Sequence, residues 1–202
     1  SRPAQMRAEY SGVPLRAIAQ LAKSWNFSEA SFGMAALNSY YATPSVADEN
    51  GFALADAPWP HIFDPFRNAV AGKKVAVIGH FPFAPKALNQ AADFYMLERS
   101  LNDGDYPDSA AEYILPECDY VFITGSAFVN KTAPRLLELS GESFNVVLGP
   151  STPLAPVLLE DYGVSQVTGM VPTSPLAMFE GLSGTDAGTT MFDWGHRVEL
   201  SA

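Results

Sequence analysis

Phe144-Asn145-Val146-Val147-Leu148 runs directly into Gly149-Pro150-Ser151-Thr152-Pro153-Leu154-Ala155-Pro156. An apolar run of strand length that stops at a turn of Gly, Pro and two hydroxyl residues reads as a buried strand presenting backbone N–H groups and side-chain oxygens to a ligand. The construction recurs. Lys74-Val75-Ala76-Val77-Ile78 leads into Gly79-His80-Phe81-Pro82-Phe83, and Asp119-Tyr120-Val121-Phe122-Ile123 leads into Thr124-Gly125-Ser126. Asp93-Phe94-Tyr95-Met96-Leu97 ends at Glu98-Arg99, and Val164-Ser165-Gln166-Val167-Thr168 ends at Gly169. Short apolar runs separated by helix-length segments predict a parallel sheet covered on both faces, an α/β fold of Rossmann-like type. The ligand crevice of such a sheet lies outside the carboxyl ends of its strands. His80, Glu98, Thr124, Ser126, Ser151 and Thr152 are therefore expected to converge, with Gly79, Gly125 and Gly149 bordering the same cavity.

The 202 residues, 48% of them hydrophobic, suffice for a full core, as one large domain or a domain with a smaller appendage. The 22 acidic against 12 basic residues give a formal net charge of −10, which repels phosphate backbones and anionic lipid, so neither nucleic acid nor membrane is expected as a partner. The single cysteine, Cys118, excludes an internal disulfide and suits a reducing compartment. No apolar run approaches membrane-spanning length and no charged-then-apolar leader opens the sequence, so the expected location is cytoplasmic.

Two helices are predicted between Val13 and Tyr41, with Leu15, Ile18, Ala19 and Ala22 on one stripe and Phe32, Ala35, Ala36 and Leu37 on another. Ser28 is the expected N-cap of the second, with Trp25 and Asn26 as core and junction residues. Thr43 to Pro65, rich in proline, opposes regular structure. Phe63 to Val70, Ser109 to Leu115, Asn130 to Ser140 and Pro153 to Tyr162 are read as helices, and Thr189 to Leu200 as a final strand or hairpin at a sheet edge. The division expected is 1–60 for a small N-terminal unit and 61–202 for the α/β domain.

Four segments, taken in order, resemble a prokaryotic family labelled for heavy-metal chelation, the domains of unknown function 364 and 4213. They are Ser24-Trp25-Asn26 with Gly33-Met34-Ala35-Ala36-Leu37-Asn38-Ser39-Tyr40, then Val77-Ile78-Gly79-His80-Phe81-Pro82-Phe83, Thr124-Gly125-Ser126-Ala127-Phe128-Val129-Asn130-Lys131-Thr132, and Leu148-Gly149-Pro150-Ser151-Thr152-Pro153-Leu154. The resemblance implies a small enolase-N-terminal-like domain joined to a Rossmann-like domain, with the site between them, and marks Asn38, Asn130 and Thr132 as site members. Family members begin with strands, whereas only Ser1 to Gly12 precede the helices here. The small domain is thus expected to be truncated or completed by another chain, and a homo-oligomer is expected.

The turn Gly79-His80-Phe81-Pro82-Phe83 lacks the glycines of a dinucleotide fingerprint, so NAD is not expected, although Glu98 stands where a ribose-binding acid would lie. No cofactor is fixed by the sequence. A transition metal is one candidate, with His80 and Glu98 as its candidate ligands, while Asp193 with His196 reads more readily as surface hydrogen bonding and Cys118 as a small buried hydrophobe. Ser151 and Thr152, like Thr124 to Ser126, fit either anion capture or helix capping. Asp105 and Asp108 read first as a solvated turn, the alternative being that they meet the crevice beside Glu98. The expected function is binding of a small anionic ligand or metal chelate at the strand ends. The alternative is a metabolic enzyme, a transferase or lyase, in which His80 and Glu98 do acid/base work in the same interdomain cleft.

Overall fold

The computed structural model describes residues 10–59, 61–183 and 191–202. The strands among them are β1 (Ala53–Leu54), β2 (Lys74–Ile78), β3 (Asp93–Glu98), β4 (Tyr106–Pro107), β5 (Tyr120–Thr124), β6 (Phe144–Leu148), β7 (Gln166–Pro172) and β8 (Gly195–Ser201). They form one sheet in the order β1-β8-β7-β6-β5-β2-β3-β4. From β4 across to β7 every neighbouring pair is parallel. The chain builds outward from β2 to β3 and β4, then returns to place β5 on the other side of β2. The β2/β5 junction is therefore the point where strand order reverses, which is where an open α/β sheet leaves a crevice.

All five predicted runs are strands of this sheet. The apolar runs of β2, β5 and β6 reflect burial on both faces, whereas β3 is buried only toward its end and β7 carries Gln166 and Thr168 in its buried run. Val75, Val77, Phe122, Val146 and Leu148 face a layer containing Ile62, Phe63, Phe66 and Leu88. Ala76, Ile78, Val121, Ile123, Val147 and Val167 face the layer of Leu115, Leu136 and Leu158. The tail forms β8, antiparallel to β7, but β8 is not the edge: β1 pairs beyond it, with Ala53 opposite Glu199 and Leu54 opposite Val198. Thr189 and Thr190, at the start of the predicted tail, lie outside the described residues.

The helices are α1 (Leu15–Ala19), α2 (Phe27–Tyr41), α3 (Pro44–Glu49), α4 (Ala84–Ala87), α5 (Ala111–Ile114), α6 (Ala133–Leu139), α7 (Val157–Glu160) and α8 (Pro175–Ser183). None is long and apolar enough to cross a membrane, among the described residues. Several expectations are corrected. Asn26, not Ser28, caps α2, its Oδ1 accepting from the N–H groups of Ser28 at 3.1 Å and Glu29 at 3.4 Å. Ser24 supports the cap by donating to Glu29 Oε2 at 2.7 Å, and Trp25, expected in the core, is 77% exposed. The stretch from Thr43 to Pro65 is not irregular throughout, because Pro44 occupies the first turn of α3, where its missing N–H costs nothing, and β1 follows. Conversely, Pro153 to Tyr162 contracts to the four residues of α7. Pro153 and Pro156 each remove a donor and restrict the residue before them. Around Pro65 the predicted helix likewise reduces to a 3-10 turn over Asp64–Phe66.

Candidate functional site

The turns that end β2, β5 and β6 pack against each other through glycine. Gly79 has φ +103°, and a Cβ there would meet the Thr124 side chain at 3.1 Å. A Cβ on Gly125 would lie 2.5 Å from the backbone nitrogen of Thr152. The β5 and β6 turns are thus seated backbone to backbone, with no room for a ligand between them. Thr124 Oγ1 caps its own turn, accepting from Ser126 N–H at 3.4 Å and sharing a hydrogen bond with Ser126 Oγ at 3.1 Å.

A cavity of about 420 Å³ opens at the β2/β5 junction. Gly79, Glu98, Thr124 and Ser126 reach it from three strand ends, and Asn130 and Thr132 from the segment before α6. Its apolar wall comes from Ile78, Leu97, Ala127 and Leu136. A cavity of this size with an apolar wall and a few convergent polar groups suits a small metabolite. Asn130 is partly committed, its Oδ1 accepting from Thr132 Oγ1 at 2.6 Å and Thr132 N–H at 3.1 Å.

Most of the charged rim is paired. Arg99 meets Asp108 at 3.4 Å, and Arg135 meets Glu112 at 2.5 Å and Glu138 at 2.7 Å. Hydrogen bonding to Arg135 holds the Glu112 carboxyl below its ordinary range. Lys131 has no carboxylate partner among the described residues. Its Nζ donates instead to the carbonyl of Ala22, joining the cavity rim to the N-terminal helices. Burial lowers the pKa of this ammonium. Its backbone has φ +68°, the one left-handed non-glycine residue described, a conformation that disfavours any side chain with a Cβ.

Glu98 lines the cavity with a carboxylate that already serves backbone donors. Oε2 accepts from His80 N–H at 3.0 Å, and Oε1 from Arg99 N–H at 2.7 Å and Ser100 N–H at 3.4 Å. It ties the β2 turn to the β3 turn. The His80 ring faces elsewhere: Nδ1 stands 3.0 and 3.1 Å from the two oxygens of Asp105. Asp105 is no solvated turn residue, since its side chain is 0% exposed. Burial alone would raise its pKa, but the backbone N–H of Asn102, the His80 ring and the Asn102 side chain outweigh that and hold it below the ordinary value.

The turn after β6 borders a second cavity, of about 530 Å³, which also receives Asn38 from α2 and Met178 from α8. Asn38 Nδ2 donates to the carbonyl of Ser151 at 2.8 Å. Asn38 Oδ1 and Thr152 Oγ1 are buried without a hydrogen-bond partner among the described residues. The convergence expected of all three turns is therefore divided, Ser126 and Ala127 facing the first cavity and Val129 and Ser151 the second. The capping reading also fails at this turn, because α7 begins at Val157 with Pro156 as its N-cap.

No group of three or more His, Cys, Asp and Glu side chains is placed to hold a metal ion, among the described residues. Cys118 precedes β5, its thiol donating to the carbonyl of Ile114, and burial pushes its pKa up to about 11. It is a small buried hydrophobe, as the sequence suggested. Sequence reasoning missed one pairing and one residue. The pairing of Asp105 with His80 depends on loops 25 residues apart meeting, for which the turn-like Asn102-Asp103-Gly104-Asp105 gives no signal. Lys131 lies in the Thr124 to Thr132 segment that carries the family resemblance, but nothing in a lysine announces a left-handed backbone.

A profile of the DUF364 family, described as "Putative heavy-metal chelation", matches residues 61–198, and one of the DUF4213 family, with the same description, matches residues 3–41. An uncharacterized protein of Methanocaldococcus jannaschii is 27% identical over 153 residues, covering 73% of this chain. The chain spans 56% of the length of that curated relative. Among solved structures, a protein of unknown function from the DUF364 family of Desulfitobacterium hafniense is similar, with a TM-score of 0.89 and 42% identity over 100% of this chain and 83% of the other. A DUF364 protein of unknown function from Pyrococcus horikoshii shares the fold, with a TM-score of 0.76 and 22% identity over 100% of this chain and 78% of the other.

Proposed function

The chain belongs to the DUF364 family, and on that premise we propose that it binds a small anionic ligand, a metal chelate among the candidates, in the cavity at the β2/β5 junction. The observation that carries this reading is the rim of that cavity. Polar groups from three strand ends meet there beside Lys131, a cation whose only described partner is a neutral carbonyl. An anion entering the cavity would gain a charge-assisted hydrogen bond from Lys131 and further donors from the hydroxyls of Thr124, Ser126 and Thr132. The chain's net charge of −10 makes such a local cation more selective, since anions are otherwise repelled. The family's description supports a metal-bearing ligand. The described side chains do not assemble a coordination shell of their own, which favours a metal that arrives already chelated.

Native mass spectrometry of protein purified without chelators tests the reading. Ser126→Phe fills the rim of the first cavity and Ser151→Phe that of the second. A co-purifying mass lost in the first variant and kept in the second supports the proposal. The opposite pattern assigns binding to the cavity beside Asn38 and rejects it.

A further inference from the structure

We infer that the ligand of the β2/β5 cavity is a zwitterion of amino-acid type, its anionic group met by Lys131 and a protonated amine met by Glu98. This rests on the ligand reading above and adds to it the second charge that the ligand carries.

The ionisable side chains lining that cavity are Glu98, Asp108 and Glu112 against Arg99, Lys131 and Arg135. Arg99 is neutralised by Asp108, and Arg135 by Glu112. The two left over have opposite signs. Lys131 donates to a neutral carbonyl, and Glu98 accepts from neutral backbone N–H groups, with no ion pair to either among the described residues. A ligand carrying an anion alone would match Lys131 but bring a like charge toward Glu98. Against the apolar wall that repulsion is less screened than in water. A ligand carrying both charges answers both residues. Being neutral overall, it is also not repelled by the chain's net charge of −10.

The bonds that Glu98 already makes decide what else it can take. A carboxylate offers about four lone-pair sites. Oε1 accepts from the N–H groups of Arg99 and Ser100, while Oε2 accepts from His80 N–H and keeps one site. One site suits one strong donor, such as an ammonium N–H, and not the paired hydroxyls of a sugar. At the other end Lys131 is held at φ +68°, and backbone strain of this kind gathers at ligand clamps. Glu98 ends β3 and Lys131 follows β5, with β2 between them. At strand spacings of about 4.8 Å the two residues belong to strands about 10 Å apart, so the ligand's charges are best matched when several atoms separate them.

Calorimetry on the whole chain with γ-aminobutyrate and ε-aminohexanoate, set against butyrate, hexanoate, butylamine and hexylamine, tests the inference. At least one amino acid should bind about 10- to 100-fold more tightly than both of its single-charge analogues, the scale of one charge-assisted hydrogen bond. Glu98→Gln should cancel the advantage over the carboxylate, and Lys131→Met the advantage over the amine. Should Glu98→Gln fail to fold, carbon-13 spectra of the natural chain read the same contact. The Glu98 carboxyl carbon should then move with the amino acid and stay still with the matching carboxylate. Amino acids that bind no tighter than their analogues, an advantage that survives Glu98→Gln, or no binding by either amino acid overturns the inference. If the carboxylates bind, lose affinity in Ser126→Phe and gain nothing from an added amine, the anion reading stands and the zwitterion falls. If the amines bind as tightly as the amino acids and Lys131→Met changes nothing, both fall.

Discussion

Gly125 rests on the backbone of Thr152, with the position of its absent Cβ 2.5 Å from the Thr152 nitrogen and 2.7 Å from the Ser151 carbonyl carbon. Backbone atoms cannot swing aside as a side-chain tip can, so even one methyl group must push the β5 and β6 turns apart. Gly125→Ala is expected to destabilise the fold by about 1–3 kcal/mol through overpacking. Gly163→Ala is a different control, because no atom stands within 4 Å of its Cβ and only its φ of +64° opposes the change. Urea unfolding of both variants separates the effects. A Gly125→Ala loss no greater than that of Gly163→Ala would show that the two turns are not locked together.

How far the sequence disclosed this arrangement depends on the range of the interaction concerned. The strands of the parallel sheet were legible because burial on both faces demands unbroken apolar runs such as Val75-Ala76-Val77, a local constraint. The ends of β2, β3 and β5 were legible from the Gly, Glu and Thr that break their runs, and Gly79, Glu98, Thr124 and Ser126 reach one cavity, joined by Asn130 and Thr132 that the family resemblance marked. By contrast, β7 runs through the expected stop at Gly169 to Pro172. The division into two cavities was not legible, since it arises from Gly125 meeting Thr152 across 27 positions of sequence. Trp25 misled because an aromatic at a helix junction has the composition of a core residue, whereas the cap next to it, Asn26, is what the fold uses.

The left-handed backbone at Lys131 gives a second expectation. Replacing it with Gly removes the steric cost of φ +68°, while replacing it with Ala keeps that cost, and both lose the link to Ala22. Lys131→Gly should therefore be more stable than Lys131→Ala by about 1 kcal/mol, the scale of the left-handed penalty for residues with a Cβ. Both should bind the anionic ligand more weakly. Equal stabilities would mean that the segment does not hold this conformation in solution.

Arg197 is 4% exposed, and its Nε and Nη2 make no hydrogen bond among the described residues. Glu199 Oε2 lies 3.5 Å from Nη2, near enough for charge attraction, and also accepts from Gln166 Nε2 at 3.1 Å. Burial lowers the pKa of this guanidinium, with Glu199 and then Asp56 and Asp64 opposing that shift. Removing the nearest carboxylate while leaving the buried cation is the costly change, so Glu199→Ala should destabilise, though by less than the roughly 3–5 kcal/mol of a fully buried pair because Glu199 is 30% exposed. Arg197→Met, which removes the charge and keeps most of the volume, should be close to neutral or stabilising. Chemical denaturation that ranks the two in the reverse order would mean that Arg197 is better satisfied than its geometry indicates.

Cys118 supplies a pH dependence whose sign can be worked out. Burial raises its thiol pKa to about 11, with Lys74 acting to lower it and Asp119 to raise it, whereas an unfolded chain has a cysteine pKa of about 8.5. The folded protein thus holds the proton more tightly. The stability contributed by the neutral buried thiol is fully present below about pH 8.5 and is lost as pH rises toward 11. Other groups also titrate in this range, so the quantity to measure is the stability difference between the natural chain and Cys118→Ala. It should be constant from pH 6 to 8 and shift progressively against the natural chain above about pH 8.5. The same burial predicts slow labelling of the native thiol at pH 8, accelerated by urea. Rapid, complete labelling of the folded protein at that pH, or a difference that stays flat up to pH 11, would show that the thiol is not held in the apolar layer beneath β5.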